Sequence, residues 1–367
     1  MDERMIFRPG AGPLMGMSAS GPQQLFERAE QAFAAGRNAE AAPLYRQLLA
    51  ALFLPGVQLY RLGMIANRDK DFDAAWRLHR QALEVDPLLA SHIAHPSSPH
   101  HHIVCRPRYE TEDVGRCPVC DGVQQTPLMV VNCLPFNHYH AAFDPVRRWV
   151  CCPACGHGFA NPRPSAAALL QAFRDPPPPH LLDWNYEGLI LVSEIVHRLW
   201  QRHPGGDLLD VGMGGGMLAG LALDYGYRVC GLDLHPNYAE RARRLGVEFL
   251  VGDIGSHDFA GRQFDVIVLG DVIEHVTEPR RALAQVAAML KPAGLLWLST
   301  PDHEGVWTRM LADGDSMWLE GEHMQYFCRR SMRRLLVEQG LAVVDYRLSQ
   351  RFTGCMEVAV ERSSPGR

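Results

Sequence analysis

Three groups of residues in this chain have the types and spacing to do chemistry. The first is Asp210-x-Gly212-x-Gly214-x-Gly216, followed by acids at Asp233 and Asp253. Glycine lets a backbone turn sharply and approach a ligand with no Cβ in the way, and a helix starting after such a loop offers free N–H groups. An acid at the tip of the next strand can accept two hydrogen bonds from a ribose diol. The plainer roles are a surface-turn acid for Asp233 and a helix cap for Asp253. The second group is Asp271-x-x-Glu274-His275, with His323 downstream, in the runs GDVIEHV and GEHMQYF. An imidazole of ordinary pKa, about 6.5, suits a general base. It equally suits a prop that pairs with Glu274 and holds the loop. The same four residues have the donor types for a divalent cation, or for a plain hydrogen-bond network. The third group is Cys117-Pro-Val-Cys120 and Cys152-Pro-Ala-Cys155, with Gly122 and Gly156 suited to the tight turns. Two such knuckles supply four thiolates, a set that fits a structural zinc ion with no open position. A redox dithiol needs fewer cysteines. Cys151 is left over, and His157 is a possible substitute ligand.

The elements that must position the first two groups are legible in the apolar pattern. From residue 181 to 362 short apolar strands alternate with helices, the signature of an α/β domain. DLLDVG is a strand leading into the glycine loop. Leu218, Leu221, Ala222 and Tyr225 follow at helical spacing, and YRVCGLDL brings Asp233 to the end of a second strand. The loop spacing differs from the Gly-x-Gly-x-x-Gly of dinucleotide sites, which disfavours a nicotinamide enzyme. With VEFLVGD, FDVIVLGDVIEHVTEP, the Lys-Pro-Ala-Gly turn and GCMEVAVER following in order, residues 181–362 resemble the class I S-adenosylmethionine (SAM)-dependent methyltransferases. The resemblance implies a Rossmann-like seven-stranded domain whose last strand is antiparallel. It implies Asp233 at the ribose hydroxyls, Asp253 at the adenine amine, and Asp210, Gly212, Gly214 and Gly216 around the methionine end. It places Asp271 at the cofactor and makes Glu274, His275 and His323 the catalytic candidates facing the acceptor. Cys328 stands where Ser or Thr commonly caps the next helix, which implies a looser helix end. Residues 303–327, rich in Trp, Met and aromatic side chains from Trp307 to Phe327, are expected either to cover the acceptor or to pack on the sheet.

Ahead of this domain the chain divides further. Residues 21–90 carry two copies of a helix pair offset by 34, with Ala41 matching Ala75 and Leu49 matching Leu83. They resemble tetratricopeptide repeats, which implies a docking surface for a partner chain or for the rest of this chain; the plainer reading is a helical bundle. Pro43 interrupts one helix of the first copy. Residues 91–116, with SHIAHPSSPHHH, read as a linker, 117–164 as a small zinc ribbon with a long hairpin between its knuckles, and RDPPPPH at 174–180 as an extended polyproline break. CPVC and CCPACGHGFANPRP ahead of the α/β domain resemble a zinc-binding arrangement that precedes many bacterial class I methyltransferases, some of which act on sugars or glycan precursors.

Bulk composition narrows the rest. The chain has 367 residues, a formal charge of −5 and 47% hydrophobic residues, with no basic excess to serve a nucleic-acid partner. No secretory leader or run of about 18 apolar residues is evident, so no membrane partner and a cytoplasmic setting are expected. The expected function is transfer of a methyl group from SAM to an O or N atom of a small molecule or glycan. A non-catalytic scaffold using the repeats and the ribbon is the alternative.

Overall fold

The computed structural model describes residues 21–95, 98, 100–106, 108–136, 139–172 and 184–362. The N-terminal run before residue 21 and the proline run at 174–180 lie outside the described residues. The chain opens with α1 (Gly21–Ala34), α2 (Asn38–Ala50), α3 (Pro55–Arg68) and α4 (Phe72–Val85). α1 begins at residue 21 and α3 at 55, α2 at 38 and α4 at 72, so the helix pair recurs with a 34-residue offset. Ala41 and Ala75 are fully buried, as a close helix crossing requires. Pro43 lies on the exposed side of α2. Glu30 of α1 ties three helices together: it accepts from Arg61 at 2.8 and 2.6 Å and from the Tyr45 hydroxyl at 2.7 Å. A short helix, α5 (Leu89–Ile93), follows.

The described residues of 91–116 are tied down at two points. Cys105 is buried, and β1 (Thr111–Glu112) pairs with β5 (Arg163–Pro164). Between them lie β2 (Thr126–Asn132), β3 (Val146–Cys151) and β4 (Gly158–Ala160), which form an antiparallel sheet carrying the cysteine knuckles. The helices lean on it. The Asn67 side chain accepts the Val130 N–H at 2.9 Å, and Arg80 pairs with Asp144. α6 (Ala166–Ala172) then leads toward the second half.

The second half comprises α7 (Tyr186–Arg202), β6 (Gly206–Val211), α8 (Met217–Asp224), β7 (Tyr227–Asp233), α9 (Ala239–Leu245), β8 (Glu248–Val251), β9 (Phe264–Gly270), α10 (Pro279–Met289) and β10 (Leu290–Pro301). It continues through α11 (Val306–Leu311), β11 (Gln325–Tyr326), α12 (Arg329–Glu338), β12 (Leu341–Leu348) and β13 (Cys355–Arg362). Seven strands form one mixed sheet in the order β12-β13-β10-β9-β6-β7-β8. β6 to β10 run parallel, and β13 is antiparallel to both of its neighbours. The central strands are buried apolar runs, as expected where helices cover both faces. β6 connects onward to β7 on one side, while β9 lies on its other side, so the order reverses between β6 and β9. In open α/β sheets a ligand crevice forms at that reversal, outside the carboxyl ends of the strands. At the opposite end Lys291 binds Asp207 at 2.9 Å and Asp265 at 2.8 Å, pinning β6 to β9.

Two expectations change here. Residues 303–327 do not act as one apolar flap. α11 leaves Trp307 and Met310 exposed, whereas Trp318, Met324, Tyr326 and Phe327 are core, and β11 pairs with β4 as the fourth strand of the cysteine sheet. Trp318 meets Trp149 at 5.4 Å and Tyr326 at 4.2 Å between ring centroids. The start of α12 is also not loose. Ser331 accepts the Cys328 N–H at 3.0 Å, supplying the cap from inside the helix, while the Cys328 thiol points at the Gly156 carbonyl at 3.3 Å.

Candidate functional site

β6 delivers the glycine loop to the carboxyl end of the sheet. Gly212, Gly214 and Gly216 have φ of +69°, +53° and +74°, the left-handed region that side chains disfavour. A Cβ on Gly212 would stand 2.5 Å from Val272 Cγ2, and one on Gly216 2.9 Å from Leu245 Cδ1. At Gly214 a Cβ would meet only the Gly212 carbonyl, at 3.9 Å, so it would project into open space. The Gly214 N–H donates to Asp233 Oδ2 at 2.9 Å, and the His235 N–H donates to Oδ1 at 2.9 Å. Each Asp233 oxygen therefore keeps one lone pair for another donor. Asp210 is buried and its Oδ2 has no hydrogen-bond partner. Burial, then the neighbouring Asp233, push its pKa up to about 7. An orphaned carboxylate oxygen beside an open left-handed glycine is a cradle suited to a polar, positively charged ligand. Asp253 follows β8, and its Oδ1 accepts from the Gly255 N–H at 2.8 Å and the Ser256 hydroxyl at 3.3 Å. These contacts close a turn, and no helix lies between β8 and β9 for Asp253 to cap.

The strand after the reversal delivers the second group. Asp271 has φ +55°, and its Oδ1 accepts from Ser299 Oγ at 2.8 Å. Its Oδ2 stands 3.3 Å from the Arg351 guanidinium. Glu274 is buried, with Oε2 unpartnered. Burial first, and Asp271 second, hold its carboxyl well above the usual range. His275 and His323 meet at 4.8 Å between ring centroids. Donor atoms of Glu274, His275 and His323 all lie within 4.8 Å of one another. Asp271 is not in that cluster and is engaged by Ser299 and Arg351 instead. Burial lowers the His275 pKa to about 4, and burial with His275 alongside lowers that of His323 well below its ordinary value. Both rings are neutral near pH 7, and His275 Nδ1 has no partner.

The cysteine sheet reaches into this cluster. Arg147 of β3 donates to the carbonyls of Gly321 at 2.9 Å and His323 at 2.6 Å. The Met324 N–H donates to the Glu274 carbonyl at 2.9 Å, and Gln325 Nε2 donates to the Val276 carbonyl at 3.0 Å. Arg147, Gln325, Ser299 and Arg351 were not singled out from sequence as site residues. Their partners are remote in the chain, and only Gln325 lies in a quoted run, GEHMQYF, where His323 drew the attention.

The four cysteines converge. Cys117 and Cys155 Sγ are 3.6 Å apart, Cys120 and Cys152 Sγ 3.4 Å, and all four sulfurs lie within 4.8 Å of one another. A tetrahedron with zinc–sulfur bonds of about 2.3 Å has edges of about 3.8 Å, so the donor set fits zinc. The left-handed residue of the first knuckle is Asp121, φ +62°, rather than Gly122; in the second it is Gly156, φ +75°. His157 is not among the converging donors, and its Nε2 binds Gln325 Oε1 at 2.8 Å. Cys151 stays outside the cluster, its thiol directed at the Cys152 carbonyl.

Residues 187–346 match the family profile described as a methyltransferase domain. A ubiquinone biosynthesis O-methyltransferase of Coxiella burnetii is 34% identical over 131 residues, 32% of this chain and 56% of that protein. Its namesake from Xanthomonas campestris pv. campestris is 35% identical over 106 residues, 26% of this chain and 44% of the relative. The chain thus spans about half the length of the curated relatives it matches. A solved O-methyltransferase family protein from Burkholderia thailandensis is 22% identical, with a TM-score of 0.42 over 55% of this chain and 61% of its own. Residues 187–346 are thus similar to a methyltransferase domain, and no described helix is long and apolar enough to cross a membrane.

Proposed function

We propose that the chain is a SAM-dependent methyltransferase acting on an oxygen or nitrogen of a small molecule or glycan. The observation that carries the reading is the paired cradle at the β6–β9 reversal. Three left-handed glycines leave Gly214 facing open space, and Asp233 and the orphaned Asp210 flank them. Asp233 would hold the ribose hydroxyls, Asp253 the adenine amine, and Asp210, Asp271 and the glycine backbone the methionine end. The donor supplies an electrophilic methyl group: the acceptor's lone pair bonds the methyl carbon, the carbon–sulfur pair stays on sulfur, and the acceptor's proton leaves to a base. His275 takes that proton at Nδ1, which is neutral and unpartnered. Glu274 and His323 have donor atoms within 4.8 Å of it, and Glu274 would offset the imidazolium charge on ionising. The names of the two curated relatives favour oxygen as the acceptor atom.

The four cysteines bind one structural zinc in this reading. Arg147 and Gln325 then carry the order of that sheet to the His323 side of the site. The zinc ribbon spans residues 117–164 and the methyltransferase domain 181–362, and the tetratricopeptide-like repeats at 21–90 brace the ribbon or seat a partner protein. Calorimetry tests the donor site. SAM binds the wild-type protein and fails to bind Asp233→Ala, whereas unchanged affinity in that variant rejects the assignment. Release of S-adenosylhomocysteine (SAH) across a panel of hydroxylated acceptors then identifies the substrate.

A further inference from the structure

Arg351 is the residue around the site that neither the motifs nor the assigned roles use. It sits in the loop between β12 and β13, which Ser349 folds by accepting the N–H groups of Arg351 at 3.1 Å and Phe352 at 3.3 Å. The guanidinium stacks over Phe352, 4.7 Å from the ring centroid, and reaches Asp271 Oδ2 at 3.3 Å. Its field acts on Asp271, Asp210 and Glu274 together. All three carry a buried oxygen with no hydrogen-bond partner, Asp210 Oδ2, Asp271 Oδ2 and Glu274 Oε2, and that of Asp271 faces the guanidinium. Nearby Arg198 and Arg347 are engaged elsewhere, with Glu357 at 2.6 Å and Asp345 at 3.0 Å. Arg351 is thus a cation set against the buried acids at the β6 and β9 tips and paired directly with one of them, Asp271.

We propose that Arg351 discriminates the charge state of the donor, holding the neutral thioether product in preference to the sulfonium substrate. The inference rests on the donor reading above. A donor whose ribose sits at Asp233 extends over the glycine loop toward the β6 and β9 tips, where Asp210, Asp271 and Arg351 stand. There the acids attract the sulfonium and the guanidinium repels it. The repulsion vanishes once the methyl group has left, because sulfur is then neutral. An interaction that disfavours the charged ground state, and is relieved as that charge is lost, lowers the barrier rather than merely weakening binding. A like charge a few ångströms away, at the effective dielectric of a partly buried site, is sufficient to shift relative affinity by about tenfold.

The test is the ratio of SAM to SAH affinity, measured by calorimetry in the wild-type protein, Arg351→Gln and Arg351→Lys. The expected result is that Arg351→Gln binds SAM about tenfold more tightly relative to SAH, while Arg351→Lys keeps the wild-type ratio. A guanidinium that instead clamps the carboxylate shared by both ligands would weaken both equally in Arg351→Gln, and that outcome overturns the proposal. So does a ratio unchanged by either substitution. If the wild-type protein binds neither ligand, the donor reading and the inference fall together. If both bind and the ratio stays fixed, the inference alone fails.

Discussion

Asp210 shows how one side chain couples cofactor binding to stability. Its carboxyl titrates at about 7 because it is buried next to Asp233. Unfolded, it ionises near the ordinary aspartate value. Below that value the group is protonated in both states. As pH rises toward 7 the unfolded chain releases a proton that the folded chain retains, so stability falls, and the penalty is complete above pH 7. Asp210→Asn should therefore raise the unfolding free energy of the ligand-free protein, read from urea melts, by at most about 4 kcal/mol at pH 8 and leave it nearly unchanged at pH 4. The same variant should bind SAM more weakly. A midpoint that shifts equally at both pH values would show that ionisation of Asp210 is not the cause.

At the scale of the element, the glycine loop separates backbone strain from ligand space. Gly214 and Gly226 both have positive φ, +53° and +85°, and neither has a close neighbour at its Cβ position. Gly214→Ala and Gly226→Ala should each cost about 1–2 kcal/mol of stability, the ordinary cost of a left-handed alanine. Only Gly214→Ala should also lose SAM affinity, by more than tenfold, because its methyl group enters the cradle. Equal SAM affinity in the two variants, measured beside their melting curves, would move the donor elsewhere. This loop was legible in the sequence because local backbone demands fix it: only glycine suits three left-handed turns between a buried strand and a helix. The cysteine knuckles were legible for the same reason, since each pair spans a single turn. β11 was not. It is two residues long, carries no alternation, and is a strand only because β4 lies beside it. Arg351 and Arg147 were equally silent, since each acquires its role from a partner far away in sequence. The apolar richness of residues 303–327 was visible, but composition alone could not divide exposed α11 from the buried stretch after it.

Across the whole molecule the halves are joined by specific bonds. Arg68 of α3 pairs with Asp313 at 2.9 Å, Arg163 donates to the Thr277 carbonyl at 2.8 Å, and His303 binds the Gly156 carbonyl at 2.8 Å beside the second knuckle. A lesion in the cysteine cluster should therefore be felt at the acceptor side. Metal analysis should find about one zinc per chain, and Cys152→Ser should abolish it and lower the melting temperature. Turnover should fall further than SAM affinity, because Arg147 and Gln325 hold the His323 segment while the glycine loop is built from β6 and β7. Full turnover in a metal-free Cys152→Ser protein would separate the sheet from the site.

The strand exchanged between halves also sets a timetable for synthesis. A ribosome has made the knuckles and three strands of the cysteine sheet long before residues 325–326 emerge. Until then β4 presents an unpaired edge, the kind of surface that invites pairing with another chain. The sheet reaches its final form only when most of the polypeptide has left the tunnel, so a truncated or stalled product is the species most exposed to aggregation.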